Sequence, residues 1–210
     1  MSRPRVLLAD DHAIILEAFE TLLSPHCEVV GAVTDGRELM KAASRLKPDI
    51  IVSDISMPQL NGLDACRKIR KIQPDVKLIF LTVNEDPDLV AEAMRSGADG
   101  YLLKNSAASE LFQAIEAVLS RRTYITPLVA NGMIGSLMNK APGGRAIEKI
   151  TTRQREVLQL LAEGNTMKQT ARILCVTPRT VAFHKYRIMD ELNIETSAEL
   201  IKFAIKNGLV

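Results

Sequence analysis

The stretch Asp49-Ile50-Ile51-Val52-Ser53-Asp54-Ile55-Ser56-Met57-Pro58 decides how this chain is read. Ile50, Ile51 and Val52 form a short apolar run of β-branched residues, the pattern of a strand buried on both faces. The run ends at a carboxylate. Inside such a strand an ionised group would be costly to desolvate, but at the C-terminal end Asp54 reaches solvent or a cation. Pro58, four residues on, bars a continuing central strand. Asp54 is therefore the candidate chemical centre, and the neighbouring segments are read as the suppliers of its partners.

Outward from this stretch, two periods alternate. Strand-like runs fall at Val6–Ala9, Val29–Val33, Leu78–Leu81 and Tyr101–Leu103, and helix-period stretches at 12–23, 36–46, 62–72, 88–96 and 107–121. Five βα units in sequence predict a parallel sheet with helices on both faces, joined by right-handed crossovers. Residues 1–126 form this unit. Residues 127–147 read as a linker: Ala141-Pro142-Gly143-Gly144 is flexible by composition, and Leu128–Met138 has room for a short helix. Residues 148–210 are helical by pattern. Thr151 and Gln154 make a capping box, the first helix ends near Gly164, and a short helix spans about Met167 to Leu174. Thr177-Pro178 starts a helix running to about Leu192, and Ser197 is the expected cap of a last helix ending near Gly208.

Bulk properties bound the function. No run of about 18 apolar residues occurs, so no membrane span is expected. The N-terminal residues lead straight into a strand pattern without a signal-peptide core. Cys27, Cys66 and Cys175 read as free thiols in a reducing cytoplasm. The charge is divided unevenly. Residues 1–126 hold 15 basic against 18 acidic residues and residues 147–210 hold 10 against 7, which fits a regulatory half joined to a half that binds a polyanion.

In an open parallel sheet, function sits at the carboxyl ends of the strands. Those ends carry Asp10 and Asp11, Asp54, Thr82 and Lys104. Clustered carboxylates need a cation, and hard oxygen donors that leave room for water suit Mg²⁺. Lys104 is a point charge for Asp54 or for an anion attached to it, and Thr82 is a short donor for a phosphoryl oxygen. The set suits phosphoryl transfer to Asp54. A rival reading, an Asp-nucleophile phosphohydrolase, needs a general acid two residues after the nucleophile, where this chain has Ser56.

These residues resemble the receiver domain of bacterial two-component response regulators: Leu8-Ala9-Asp10-Asp11-His12, Asp54 with Met57-Pro58 and Gly62, Leu81-Thr82, and Tyr101-Leu102-Leu103-Lys104. The resemblance implies a flavodoxin-like α/β fold, a five-stranded parallel sheet in the order 2-1-3-4-5. It implies that a histidine kinase phosphorylates Asp54, and that Mg²⁺ is held by Asp11, Asp54 and the backbone carbonyl of Ser56, with Asp10 assisting through water. Thr82 and Tyr101 would be the switch pair: Thr82 moves toward the phosphoryl group and the Tyr101 ring follows from the surface. Val83 stands where many relatives carry a smaller residue, with consequences for access to the phosphoryl group. An orphan regulator, never phosphorylated, is the other alternative.

The helix, tight turn and helix of residues 167–192 read as a helix-turn-helix unit, which places its second helix in the DNA major groove. Val181, His184, Ile188 and Leu192 share a face suited to the core. Arg179, Ala182, Phe183, Tyr186 and Arg187 form the opposite face. The tail is similar to the DNA-binding domain of the LuxR/NarL (FixJ) group through Ile150-Thr151, Glu156-Val157-Leu158, Ala162-Glu163-Gly164, Thr180-Val181, His184 and Glu191-Leu192. Gln169-Thr170, Ala182 and Arg187 depart from that pattern. Candidate contacts to double-stranded DNA are Lys168, Arg179, Thr180, Phe183, Lys185, Tyr186 and Arg187. The last helix, with Leu200, Ile201, Ala204 and Ile205 in a stripe, would pack the domain core, and the resemblance implies that it also pairs two tails into a homodimer on half-sites about 10 bp apart. Phosphorylation would then unmask the tail or promote dimerisation.

Overall fold

The computed structural model describes residues 3–83, 85, 87–131, 147 and 150–210. Alternation of strand and helix gives β1 (Arg5–Ala9), α1 (Ala13–Leu23), β2 (Glu28–Val33), α2 (Gly36–Leu46), β3 (Ile50–Asp54), α3 (Gly62–Ile72), β4 (Lys77–Thr82), α4 (Pro87–Arg95), β5 (Gly100–Leu103) and α5 (Ala107–Leu119). Every strand pairing is parallel, and the order is β2-β1-β3-β4-β5-β6. The sixth strand, β6 (Tyr124–Ile125), corrects the expected count of five. It is two residues long, too short to show a period in sequence, and it lies beside β5 with the Thr126 N–H donating to the Tyr101 carbonyl at 3.0 Å. Glu110 on α5 holds the strand in place, accepting from the Tyr124 hydroxyl at 3.2 Å and the Thr126 hydroxyl at 2.9 Å.

The central strands are apolar along their length because alternate residues enter two different cores. Leu7, Ile51, Leu78, Phe80 and Tyr101 face one side, with α2, α3 and α4 residues such as Leu39, Ile69 and Val90. Val6, Leu8, Ile50, Val52, Ile79 and Leu81 face the other, with Leu16 and Phe19 of α1 and Leu111 and Ile115 of α5. Each such side chain contributes about 1.5–3 kcal/mol by leaving water. The resulting rigidity matters because it fixes where the strand ends lie.

Residues 127–131 are helical; the remainder of the short helix expected over Leu128–Met138 and the Ala141–Gly144 segment lie outside the described residues. The tail folds into α6 (Thr152–Ala162), α7 (Met167–Leu174), α8 (Pro178–Glu191) and α9 (Ser197–Lys206). The Thr151–Gln154 capping box and the Thr177 cap with Pro178 at the first turn form as the sequence predicts. One cap differs from the sequence reading, and one was not read at all. Thr196, not Ser197, caps α9, in a reciprocal box with Glu199. Gln169 closes another box with Thr166, which explains why an amide stands at that position. Helix α6 lies between two small cores: Leu158 packs with Ile188, Leu200 and Ala204, while Val157 and Leu160 pack with Ala171, Leu174 and Val181.

Candidate functional site

The sheet order reverses direction between β1 and β3, and a crevice forms at such a switch point beyond the strand ends. Asp10 follows β1 and Asp54 ends β3, both buried, and Lys104 follows β5. The Lys104 ammonium lies 2.7 Å from Asp54 Oδ2 and 2.7 Å from Asp10 Oδ2. The backbone that follows Asp54 turns back over it: the Ile55 and Ser56 N–H groups donate to Asp54 Oδ1 at 2.6 and 3.3 Å. Gly62, the first residue of α3, lies so close that a Cβ there would stand 1.9 Å from the Asp54 carbonyl oxygen. Thr82 ends β4 and is buried, and its carbonyl accepts from the Lys104 N–H at 2.8 Å. Asp10, Asp11, Asp54, Ser56, Thr82 and Lys104 thus share one edge of the sheet, as their positions at strand ends predict.

Charge and burial oppose one another here. Burial raises the Asp54 carboxyl above its ordinary value, and the hydrogen bond and charge of Lys104 offset only part of that. Burial alone would lower Lys104, but its bonds to Asp10 and Asp54 outweigh it and strengthen the ammonium. Asp10 Oδ2 is buried and receives no well-aligned hydrogen bond, although the Lys104 ammonium is near. His12, which the sequence reading had not singled out, brings Nδ1 to 3.2 Å from Asp10 Oδ1 and 2.8 Å from Asp11 Oδ1. Ligand atoms of Asp10, Asp11 and His12 lie within 4.8 Å of one another. A buried carboxylate oxygen whose near partner is an ammonium, beside the further carboxylates of Asp11 and Asp54, fits a hard divalent cation such as Mg²⁺.

Tyr101 is wholly buried and belongs to the same core as Val129, just beyond β6. In this state the ring is already enclosed. Val83 is 81 % exposed and stands out in solvent beside the site.

The candidate DNA residues divide into two sets. Phe183 and Tyr186 are 58 % and 60 % exposed, and Lys168, Arg179 and Arg187 are exposed as well. Arg187 lies over the Phe183 ring, 6.0 Å from its centre, and bonds Glu191 at 3.1 Å. Lys185 donates to Ser197 at 2.7 Å, and the Thr180 hydroxyl pairs with Thr177 at 2.9 Å, so both have partners within the domain. Val181 and Ile188 are buried, as expected for the core face, whereas His184 and Leu192 are half-buried. Burial first, then Arg153 and Arg187, lower the His184 pKa.

A third group was not legible in sequence. Helix α6 packs on the receiver-like unit through polar side chains. Arg155 pairs with Glu92 at 2.9 Å and lies 3.8 Å from Asp64, and Glu156 pairs with Lys68 across the boundary and with Arg153 at 2.7 Å. Gln159 donates to the Met57 carbonyl at 2.6 Å and accepts from the Asn61 N–H at 2.8 Å. Each is an ordinary surface residue of a helix until the other domain is placed against it.

Comparison with known proteins agrees with this division of the chain. Residues 6–116 match the response regulator receiver domain, and residues 148–204 match the luxR family of bacterial regulatory proteins. The response regulator GacA of Pseudomonas aeruginosa is 30% identical over 208 residues, covering 98% of this chain and 97% of that protein. The oxygen regulatory protein NreC of Staphylococcus carnosus is 32% identical over 214 residues, covering 98% and 99%. Among solved structures, the Salmonella typhimurium response regulator RcsB shares the fold with a TM-score of 0.69 over 99% of both chains, at 24% identity. Among the described residues no helix is long and apolar enough to cross a membrane. The chain belongs to the response regulators that join a receiver domain to a LuxR-type helix-turn-helix DNA-binding domain and act as transcription regulators.

Proposed function

We propose that Asp54 accepts a phosphoryl group from a histidine kinase in the cytoplasm, and that this modification controls binding of the tail to double-stranded DNA as a homodimer. The observation that carries the reading is the position of Lys104, 2.7 Å from both Asp54 and Asp10 at a shared strand edge. A carboxylate oxygen of Asp54 attacks phosphorus, the bond from phosphorus to the donor's nitrogen breaks, and an acyl phosphate forms. Lys104 then pairs with a phosphoryl oxygen, and the Thr82 hydroxyl donates to another. Asp11, Asp54 and the Ser56 carbonyl would hold Mg²⁺, with Asp10 behind them, and the cation would supply neutralisation of charge on the transferred group. The chemistry is confined to phosphorylation of Asp54 and its reversal. Thr82 and Tyr101 form the switch pair, and movement of the enclosed ring is felt by β6 and the residues leading to the tail. On DNA, Arg179, Lys168, Lys185 and Arg187 contact phosphates or base edges, with Thr180, Phe183 and Tyr186 beside them.

The test is an acid-labile, Mg²⁺-dependent label from acetyl phosphate, sought in the wild type and in Asp54→Asn. Label in the wild type alone supports the reading. No label in either, or equal label in both, removes it.

A further inference from the structure

A cavity of about 350 Å³ opens where α2 of the receiver meets α6 of the tail. It shares no lining residue with the strand-end edge that holds Asp54. Its wall carries four cations: Arg37 and Lys41 from α2, Lys68 from α3 and Arg153 from α6. One carboxylate, Glu156, lines it as well. Lys68 and Arg153 both pair with Glu156, Arg153 at 2.7 Å. Arg153 also donates to the Leu174 carbonyl at 2.9 Å, which fixes its guanidinium in place. Four positive charges against one negative leave an excess of three.

Arg37 and Lys41 differ from the other two. Among the described residues neither forms an ion pair. Arg37 Nε is buried and meets no acceptor. Buried donors are normally satisfied, so an orphaned guanidinium N–H on a cavity wall marks a place for an acceptor. The neighbouring acids do not supply one. Asp35 Oδ1 accepts from the Arg37 and Glu38 N–H groups at 2.8 Å each, and Asp35 Oδ2 from the Gln59 amide at 3.4 Å. Glu38 lines a separate cavity, with Lys41 and Arg45.

Like charges gathered on low-dielectric walls attract a counter-ion. The volume suits a small molecule rather than a nucleic-acid duplex. A guanidinium matches phosphate oxygens in its fork geometry, and each lysine adds a point charge. Two linked phosphates carry about three negative charges at neutral pH, which matches the excess. Met40 and Leu60 complete the wall with apolar surface, against which the face of a base can pack.

We propose that this cavity binds the diphosphate group of a small molecule, with Arg37 and Lys41 in contact with it and Lys68 and Arg153 completing the field. Such a group comes free, as pyrophosphate, or attached to a nucleoside.

The experiment is calorimetric titration of the full chain with pyrophosphate and with ADP. Mg²⁺ is left out, so that it neither chelates the titrant nor carries it to the Asp54 edge. Each titrant is expected to bind one equivalent. Arg37→Gln should weaken both about 10-fold or more, and Lys41→Gln about 5-fold, the usual range for losing one charged partner. Arg45→Gln removes the same charge from the neighbouring cavity and should change affinity less than about 2-fold. All three positions lie on the outer side of α2, and unchanged melting midpoints would show that the variants fold as the wild type does. ADP bound more tightly than pyrophosphate, with the gain lost in Met40→Ala, assigns the site to nucleotides; equal affinities assign it to the free diphosphate. No saturable binding of either titrant overturns the proposal. Binding that Arg37→Gln and Lys41→Gln leave unchanged overturns it too, because the anion then lies elsewhere. So does an Arg45→Gln loss equal to that of Arg37→Gln, which would reduce the effect to net charge.

Discussion

The Lys104 ammonium bridges two buried carboxylates, 2.7 Å from Asp54 Oδ2 and 2.7 Å from Asp10 Oδ2. It counters charge that the apolar sheet edge would otherwise expel, and it is placed to follow that charge onto a phosphoryl group. Lys104→Met should lower the rate of labelling by acetyl phosphate about 100-fold, the usual cost of losing one preorganised charge partner. The pH profile checks the cause. Burial already raises the Asp54 pKa, so the wild-type rate should fall on acidification while an exposed aspartate would still be ionised. Without the opposing effect of Lys104, the acid limb of the variant should move to still higher pH.

Gly62 answers to the backbone rather than to charge. A Cβ at this position would meet the Asp54 carbonyl oxygen at 1.9 Å, and the Gly62 N–H also donates to the Ile55 carbonyl at 2.7 Å. Gly62→Ala should therefore push α3 away from the end of β3 and destabilise the receiver by about 3 kcal/mol. Thermal melting followed by circular dichroism should show a midpoint lower by roughly 6–12 °C.

Glu156 ties the two domains together through Lys68, with Arg153 beside it. Burial works to raise its pKa, but the bonds and charges of Lys68 and Arg153 prevail and lower it. A carboxylate whose folded pKa is depressed contributes stability that is fully present above its unfolded pKa and lost as pH falls through the folded one. Glu156→Gln should weaken the folded, docked chain by roughly 1.5–3 kcal/mol at neutral pH. The difference in melting temperature between wild type and variant should shrink on acidification below the ordinary glutamate range.

Much of this site was legible in the sequence because a strand's end is marked by the chemistry of a few consecutive residues. Asp10, Asp54, Thr82 and Lys104 each follow an apolar run, and a parallel sheet places such residues at one edge. The cap of α9 was misread by one residue because Thr196 and Ser197 are both good caps. The choice falls to Thr196, whose reciprocal partner Glu199 sits three residues on. Strand β6 was missed because two residues show no period, and its place depends on Glu110, which is distant in sequence. Gln159 and Arg155 were missed for another reason. Their partners belong to a different domain, and no local pattern tells a polar residue that faces water from one that faces a loop backbone. His12 falls between these cases, adjacent to the acidic pair in sequence yet resolved as their neighbour only once Nδ1 is placed.

Contacts to DNA divide by their dependence on salt. Arg179 is exposed at the start of α8 and suits a phosphate, whereas Phe183 is apolar. Arg179→Ala should weaken binding to all duplexes alike and reduce the slope of log affinity against log salt by about 1. Phe183→Ala should leave that slope unchanged. Fluorescence anisotropy with a labelled duplex over a series of salt concentrations measures both.

The account joins one carboxylate at the end of β3 to a helix-turn-helix domain, so its most direct test measures one end while changing the other. The measurement is the affinity of the full chain for a duplex selected from a random pool, with Mg²⁺, with and without acetyl phosphate, for wild type and Asp54→Asn. The account predicts that the phosphodonor tightens wild-type binding about 10-fold, within the usual range of coupling between sites, and leaves Asp54→Asn unchanged. Equal affinity for the wild type in both conditions, or the same gain in Asp54→Asn, would contradict it.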